Sequence, residues 1–168
     1  MLKLLIPVDG SRNCRFAVNH AIREFMNNTA LEIHLLNVQA PFSRDIARFV
    51  SGKSLHDYHR DEAAKALGPV KWMLEALSIP YAVHAEVGEK AKTITSTARR
   101  LRCDRILMST ARKNSLTRLV EDSVTNKVLA LTSVPVEVIA GDAVSKWERY
   151  GIPAGIGAVL ALMLLAAD

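Results

Sequence analysis

Short apolar runs alternate with segments of helical spacing along the first 140 residues of the chain. Five apolar runs lie at residues 2–8, 31–38, 80–87, 104–109 and 134–140. Four segments that carry an apolar stripe at helical spacing lie at residues 13–26, 57–77, 90–102 and 123–131. Short apolar runs predict buried strands, and a one-sided stripe predicts a helix that packs on one face. The sequence therefore predicts five strands that alternate with four helices.

This alternating order restricts the fold class. Strands that are apolar along nearly their whole length are typical of a parallel sheet with helices on both faces. Right-handed crossovers then give an α/β fold with a doubly wound, five-stranded parallel sheet. Proline donates no backbone hydrogen bond, so Pro135 predicts that the last strand lies at an edge of the sheet.

The end of the chain differs in composition from the rest. Residues 152–167 carry no charged side chain, and a polar stretch precedes them. We therefore expect a domain at residues 1–140, a linker at 141–150 and a hydrophobic tail helix at 151–168. Sixteen residues span about 24 Å as a helix, which is short of a hydrocarbon core of ~30 Å. Trp147 and Tyr150 lie where interfacial aromatics belong and favour membrane contact; burial of the tail against protein is the alternative.

Several common chemistries lack their sequence motif. The chain has no GxGxxG after the first strand, no GxxxxGK[ST] and no GxSxG, which argues against a dinucleotide fingerprint, a P-loop and a hydrolase elbow. Aromatic residues make up only 5% of the chain, too few for a platform that stacks single-stranded nucleic acid. The N-terminus lacks the pattern of a signal peptide, so we expect a cytoplasmic protein.

Two histidines lie three residues apart beside acidic side chains. His56 and His59 neighbour Asp57 and Asp61, which could bring metal ligands together. No further ligand cluster completes such a site. We therefore expect these side chains to be solvated, with no metal bound.

A basic cluster lies around the end of the third predicted helix. Cations are favourable at a helix C-terminus, and no nucleic-acid motif accompanies them. We therefore expect a solvated cationic helix end and no nucleic-acid partner for Arg99, Arg100, Arg102 and Arg105.

A ligand site in this fold class has a predictable place. In doubly wound sheets, ligands bind beyond the carboxyl ends of the strands, at the point where the strand order reverses. The positions that this rule selects are Asp9, Val38, Gly88 and the loop at residues 109–123.

Four segments carry a resemblance to a known family. They are LLIPVDGS at residues 4–11, the Gly88-Glu89 turn, DRILMST at 104–110 and NSLTRLVEDSVTNKVLALTSVPVEVI at 114–139. Over residues 1–140 the chain resembles the universal stress protein family. The resemblance implies a flavodoxin-like, Rossmann-like fold. It also implies a homodimer paired through the last strand, between Val134 and Ala140.

The chain departs from the family at its nucleotide motif. ATP-binding members carry G-x-x-G-x9-G-[ST] after strand four, and here the glycine positions fall on Ser109, Arg112 and Asp122. Glycines let backbone N–H groups approach phosphates closely, and a helix start attracts the anion. Asp122 would instead cap the helix with the protein's own carboxylate. We therefore expect no ATP and no other cofactor.

A nucleotide would nevertheless have a defined set of candidate contacts. Arg112 and Lys113 could clamp phosphates by side chain, and the resemblance implies that Asp9 could serve the ribose or a magnesium ion. If a nucleotide binds, the residues that the resemblance selects are Pro7, Val8, Asp9, Val38, Met108, Ser109, Arg112, Ser123 and Val124.

These observations lead to one predicted function and two alternatives. We predict a non-catalytic, homodimeric regulatory module of the universal stress type that acts through contacts with a protein partner. The first alternative is an ATP-binding switch with slow hydrolysis that uses Asp9, Arg112, Lys113 and Ser123. The second is an adaptor that residues 151–168 tether to a membrane.

Overall fold

A computed structural model describes residues 1–43, 48–112 and 124–143. The five strands are β1 (Leu2–Pro7), β2 (Leu31–Gln39), β3 (Tyr81–Val87), β4 (Arg105–Arg112) and β5 (Val136–Ala143). The four helices that the structure delimits are α1 (Cys14–Asn27), α2 (Gly52–Glu75), α3 (Lys90–Leu101) and α4 (Val124–Leu131). Strands and helices alternate as the sequence predicts.

The strands form one parallel sheet in the order β3-β2-β1-β4-β5. The chain moves outward from β1 to β3 and then returns to place β4 on the other side of β1. The order therefore reverses between β1 and β4, which confirms the doubly wound α/β fold. β5 lies at an edge, as Pro135 predicts, and Pro135 immediately precedes the strand.

Two apolar layers cover the two faces of the sheet. Alternate residues of each strand point to opposite faces, so Leu4 and Leu5 of β1 belong to different layers. One layer packs against α1 and α2 through Ala17, Val18, Leu67 and Val70. The other packs against α3 and α4 through Ala91, Ile94, Ala98 and Val128. Both cysteines are buried free thiols.

Three boundaries differ from the sequence prediction. α2 begins at Gly52, five residues before the predicted start, because the Ser51 hydroxyl caps it by accepting from the Ser54 N–H at 3.1 Å. β4 continues to Arg112 into the predicted loop. β5 continues to Ala143, into residues that the sequence assigns to the linker. Pairing with β4 extends both strands, since Arg112 lies opposite Ala143.

The predicted arginine cluster divides in space, so the expectation of one solvated patch is wrong for Arg105. Its guanidinium lies 2.6 Å from a Glu137 carboxylate oxygen and 2.8 Å from one of Glu24. Burial opposes the charge, but the hydrogen bonds and charges of the two carboxylates outweigh it and raise the pKa of Arg105. On the opposite face, Arg100 pairs with Glu86 at 2.6 Å.

The predicted tail lies outside the described residues, as do residues 144–150 of the predicted linker. Among the helices that the structure describes, none combines the length and the apolar character that a membrane span requires.

Candidate functional site

A cavity of about 130 Å³ lies at the carboxyl ends of β1 and β4, where the strand order reverses. This is the place where doubly wound sheets bind ligands. The residues that line it come from β1, β2, β4, the loop after β1 and the starts of three helices. They are Pro7, Val8, Asp9, Ser11, Cys14, Val38, Lys90, Ile94, Met108, Ser109, Val124 and Thr125.

The structure brings seven of the nine predicted residues around this one cavity. The two that do not appear there are Arg112 and Ser123. The backbone of Arg112 belongs to β4, but its side chain and Ser123 lie outside what the structure describes. Lys113 and Asp122 also lie outside the described residues. The cavity thus brings together the described part of the predicted site.

Asp9 orders the loop after β1. Its Oδ1 accepts from the Ser11 N–H at 2.9 Å, a turn in which an aspartate bonds the backbone two residues on. Asp9 therefore does not cap α1, which begins at Cys14 after Asn13. Gly10 has a φ of +79°, where a side chain would be strained, and an added Cβ would lie 3.3 Å from Ala66. The loop is thus held against α2.

Asn37 supports the loop at the end of β1 through a side-chain hydrogen bond. The side chain is only 2% exposed. Its Nδ2 donates to the Val8 carbonyl at 2.7 Å, and its Oδ1 accepts from Gln39 at 2.7 Å. Sequence reasoning missed Asn37, although a polar residue inside an apolar strand run is a readable signal for a buried hydrogen bond.

Two further lining residues come from the first two turns of α3. Lys90 and Ile94 face the cavity beside Val38 and Met108. Gly88, which the sequence predicts near the site, lies at this end of β3, but the sequence prediction included neither Lys90 nor Ile94. Only the path of the crossover brings the first two turns of α3 over the β1–β4 boundary.

The N-terminus of α3 is already occupied by an anion. The Glu89 carboxylate accepts from the Ala91 N–H at 3.1 Å and from the Lys92 N–H at 3.0 Å. These backbone hydrogen bonds lower the pKa of Glu89. A helix start attracts phosphate through its free N–H groups, so α3 has fewer free groups to offer.

Cys14 is a poor nucleophile in this cavity. Burial, with Asp9 as the second cause, raises the pKa of the thiol. The Sγ atom donates to the Ser11 carbonyl at 2.9 Å, which holds the proton on sulfur. Because the thiolate is the reactive form, Cys14 acts as a wall of the cavity.

Comparisons with known proteins agree with this architecture. A family model described as the universal stress protein family matches residues 1–140, more than half of the chain. The chain belongs to the universal stress protein family. Universal stress protein MJ0531 of Methanocaldococcus jannaschii is 31% identical over 145 residues, covering 82% of this chain and 81% of that protein.

Solved structures also resemble this universal stress protein. Protein MJ0577, whose structure served to assign a biochemical function, matches with a TM-score of 0.63 and 26% identity, covering 83% of this chain and 96% of that one. A family member from Arabidopsis thaliana with AMP bound matches with a TM-score of 0.62 and 15% identity, covering 92% and 97%. Because the two sequences are only 15% identical, the Arabidopsis match shows the fold alone.

A three-residue acidic and histidine cluster in this universal stress protein is structural. Ligand atoms of His20, Glu24 and Glu137 lie within 4.8 Å of one another. The Arg105 guanidinium hydrogen-bonds both carboxylates. A cation already compensates this cluster, so the geometry is that of an ion-pair network joining α1, β4 and β5.

Proposed function

We propose that this chain is a non-catalytic regulatory module that acts through protein contacts and does not use ATP. The observation that carries the proposal is the Glu89 carboxylate on the first turn of α3, beside the cavity. The sequence adds a second acid, Asp122, at the glycine position before α4. A triphosphate placed there would meet the Glu89 carboxylate at the start of α3, and the sequence has a second acid two residues before Val124.

The absence of a reactive pair in the described part of the cavity supports the non-catalytic role. Titratable side chains in the described lining are Asp9, Cys14 and Lys90. The thiol is held protonated, and Asp9 bonds the turn after β1. General acid–base chemistry needs a positioned partner for the nucleophile, and these three side chains supply none.

Calorimetric titration with ATP and magnesium tests the proposal directly. We expect no saturable heat, because the three glycine positions at the phosphate end carry Ser109, Arg112 and Asp122. Titration of a universal stress protein that carries all three glycines is the positive control. A micromolar dissociation constant for this chain would overturn the proposal.

A nucleotide switch is the second candidate, and the cavity itself favours it. Seven residues that the resemblance selects for a nucleotide line one cavity, and the Arabidopsis relative has AMP bound. In this candidate Asp9, Arg112, Lys113 and Ser123 hold the nucleotide. Saturable ATP binding that disappears in an Arg112→Glu/Lys113→Glu variant would establish it.

We further propose a homodimer paired through β5. β5 ends the sheet on one side. The Ile106 N–H donates to the Pro135 carbonyl at 2.9 Å, so odd-numbered residues of β5 point their backbone groups toward β4. The backbone N–H and C=O of Val138 therefore point away from the sheet, and no strand in the described part of the chain pairs with them. An unpaired edge of this kind is a template for strand addition.

Proline at position 138 tests the β5 dimer. Val138→Pro removes an outward N–H without removing a bond to β4, so we expect a dimer to become a monomer in light scattering coupled to size exclusion. Val83→Pro is the matched control. By the Gly88 N–H bond to Gln39, Val83 points its backbone outward at the other edge, on β3. A monomeric wild-type chain, or dissociation by Val83→Pro alone, would contradict the β5 interface.

We also propose that this module is cytoplasmic and that residues 151–168 contact a membrane or a protein. Its support is the composition of those residues, which lack any charge before Asp168.

A further inference from the structure

A second, larger cavity lies at the β3 edge of the sheet. It measures about 320 Å³ and lies between α2 and the edge strand β3. Cavities that bind small molecules have volumes of about 300–1,000 Å³ and combine apolar walls with a few polar groups. This cavity, the α2–β3 groove, fits that description and lies outside the site described above.

The sheet wall of the groove is apolar and uncovered. Val83, Ala85 and Val87 of β3 line it. They lie on the face that packs against α2, since Val83 is paired with Leu35 of that core layer. Yet Val83 is 43% exposed and Val87 is 50% exposed. The strand thus presents an apolar strip that α2 leaves partly open to solvent.

The helix wall is a single stripe with a small residue at its centre. His56, Arg60, Ala64 and Lys71 line the groove and fall on one side of α2 at 100° per residue. Ala64 gives the groove its width, because a larger side chain there would project toward β3. The wall from His56 to Lys71 extends about 22 Å along the helix. The groove is therefore elongated.

One cation in the groove lining has no acidic partner among the described residues. Arg60 pairs with Asp57 at 3.0 Å and with Asp61 at 3.3 Å. The acid in the lining, Glu86, is compensated by Arg100 at 2.6 Å. Lys71 has no ion pair within the part of the chain that the structure describes. The groove therefore favours an anion at the Lys71 position.

His59 is partly buried, and one of its ring nitrogens is an unsatisfied polar atom. Its ring packs against Phe42 and Tyr58, with centroid distances of 5.0 Å and 5.8 Å. Its Nδ1 atom is buried and has no hydrogen-bond partner among the described residues. Buried polar atoms are nearly always paired, so this nitrogen is an exception among the described residues.

We propose that the α2–β3 groove binds an elongated apolar carboxylate, with the hydrocarbon chain on Val83, Ala85 and Val87 and the carboxylate at Lys71. Burial of the chain against uncovered valines supplies the main favourable term. The Lys71 ammonium supplies a charge-assisted hydrogen bond and selects the anion. An amphipathic acid has an apolar chain for the β3 wall and a carboxylate for Lys71. A purely polar anion lacks the apolar chain, and a neutral hydrocarbon lacks the charge.

Calorimetric titration of the full chain with decanoate below its micelle concentration tests the groove. We expect saturable binding of decanoate and binding about tenfold weaker for decanol, which lacks the charge. Lys71→Gln should weaken decanoate about tenfold, whereas Lys65→Gln, on the opposite side of α2, should not. Equal affinity for decanoate and decanol, or equal effects of the two lysine variants, would overturn the proposed orientation.

Filling the groove provides an independent test of its location. Ala64→Phe places a ring between α2 and β3, so we expect decanoate binding to be lost while the circular dichroism spectrum is kept. Ala76→Phe adds the same ring at an exposed position after α2 and should bind like the wild type. No saturable heat with the wild-type chain, or full binding by Ala64→Phe, would contradict the proposal.

Discussion

Restoring glycine at positions 109, 112 and 122 should raise the affinity for ATP by up to about three decades. The largest single contribution comes from Asp122. Two like charges ~4 Å apart repel by about 4 kcal/mol at an effective dielectric of ~20, which corresponds to about a thousandfold in binding. Ser109→Gly and Arg112→Gly remove side chains, so phosphates can approach the backbone N–H groups closely. Calorimetry with ATP and magnesium on the triple variant measures the gain.

Two variants separate the charge of Asp122 from general electrostatics. Asp122→Asn removes the charge at the motif position, whereas Glu121→Gln removes a charge one residue away. We expect a gain in ATP affinity for Asp122→Asn and little change for Glu121→Gln. If the triple glycine variant shows no ATP binding, or if Glu121→Gln gains as much as Asp122→Asn, the account of the phosphate end is wrong.

Replacing Arg105 with methionine should lower the free energy of unfolding by about 2 kcal/mol. The substitution leaves Glu24 and Glu137 close together without the guanidinium that bonds both. Removing one partner of a buried pair costs about 3–5 kcal/mol. Here the side chains are 29% and 31% exposed, so solvent screens part of that loss. Equilibrium unfolding in urea gives the free energy from the midpoint and the slope.

Arg100→Met is the matched control for Arg105→Met. Arg100 also pairs with a glutamate at 2.6 Å, but its side chain is 59% exposed and bonds one carboxylate. Exposed pairs contribute about 0–1 kcal/mol, so the loss should be small. The variant Glu24→Gln/Arg105→Met/Glu137→Gln removes the guanidinium and both carboxylates together and should recover much of the stability. Equal losses for the two arginine variants would rule out a structural role for the network.

The strand pattern was predictable because strands that are buried on both faces consist mainly of apolar residues. β1, β2 and β4 lie inside the sheet with helices on both faces, so residues such as Leu4, Leu5 and Ile6 are all fully buried. A run of this kind can be read without knowing its neighbours. The helix boundaries were less predictable, because local bonds such as the Ser51 cap of α2 decide them.

The cavity at the β1–β4 boundary was predictable in part for a geometric reason. Parallel strands bring their carboxyl ends to one edge of the sheet, so Asp9, Val38 and Met108 had to lie near one another. Lys90 and Ile94 were missed, since the crossover after β3 determines where the first two turns of α3 lie. Asn37 was missed because its partner, the Val8 carbonyl, is 29 residues away in sequence.

By itself, the sequence determined the alternation of elements, the fold class and the family, because each is a property of local pattern. Only the tertiary structure decided which charges meet. Arg105 is a neighbour of Arg102 in sequence, yet strand alternation turns it to the α1 face and Glu24, 81 residues away. The same holds for the α2–β3 groove, whose two walls come from separate elements. Contacts between distant segments depend on packing of the whole sheet, which local pattern does not encode.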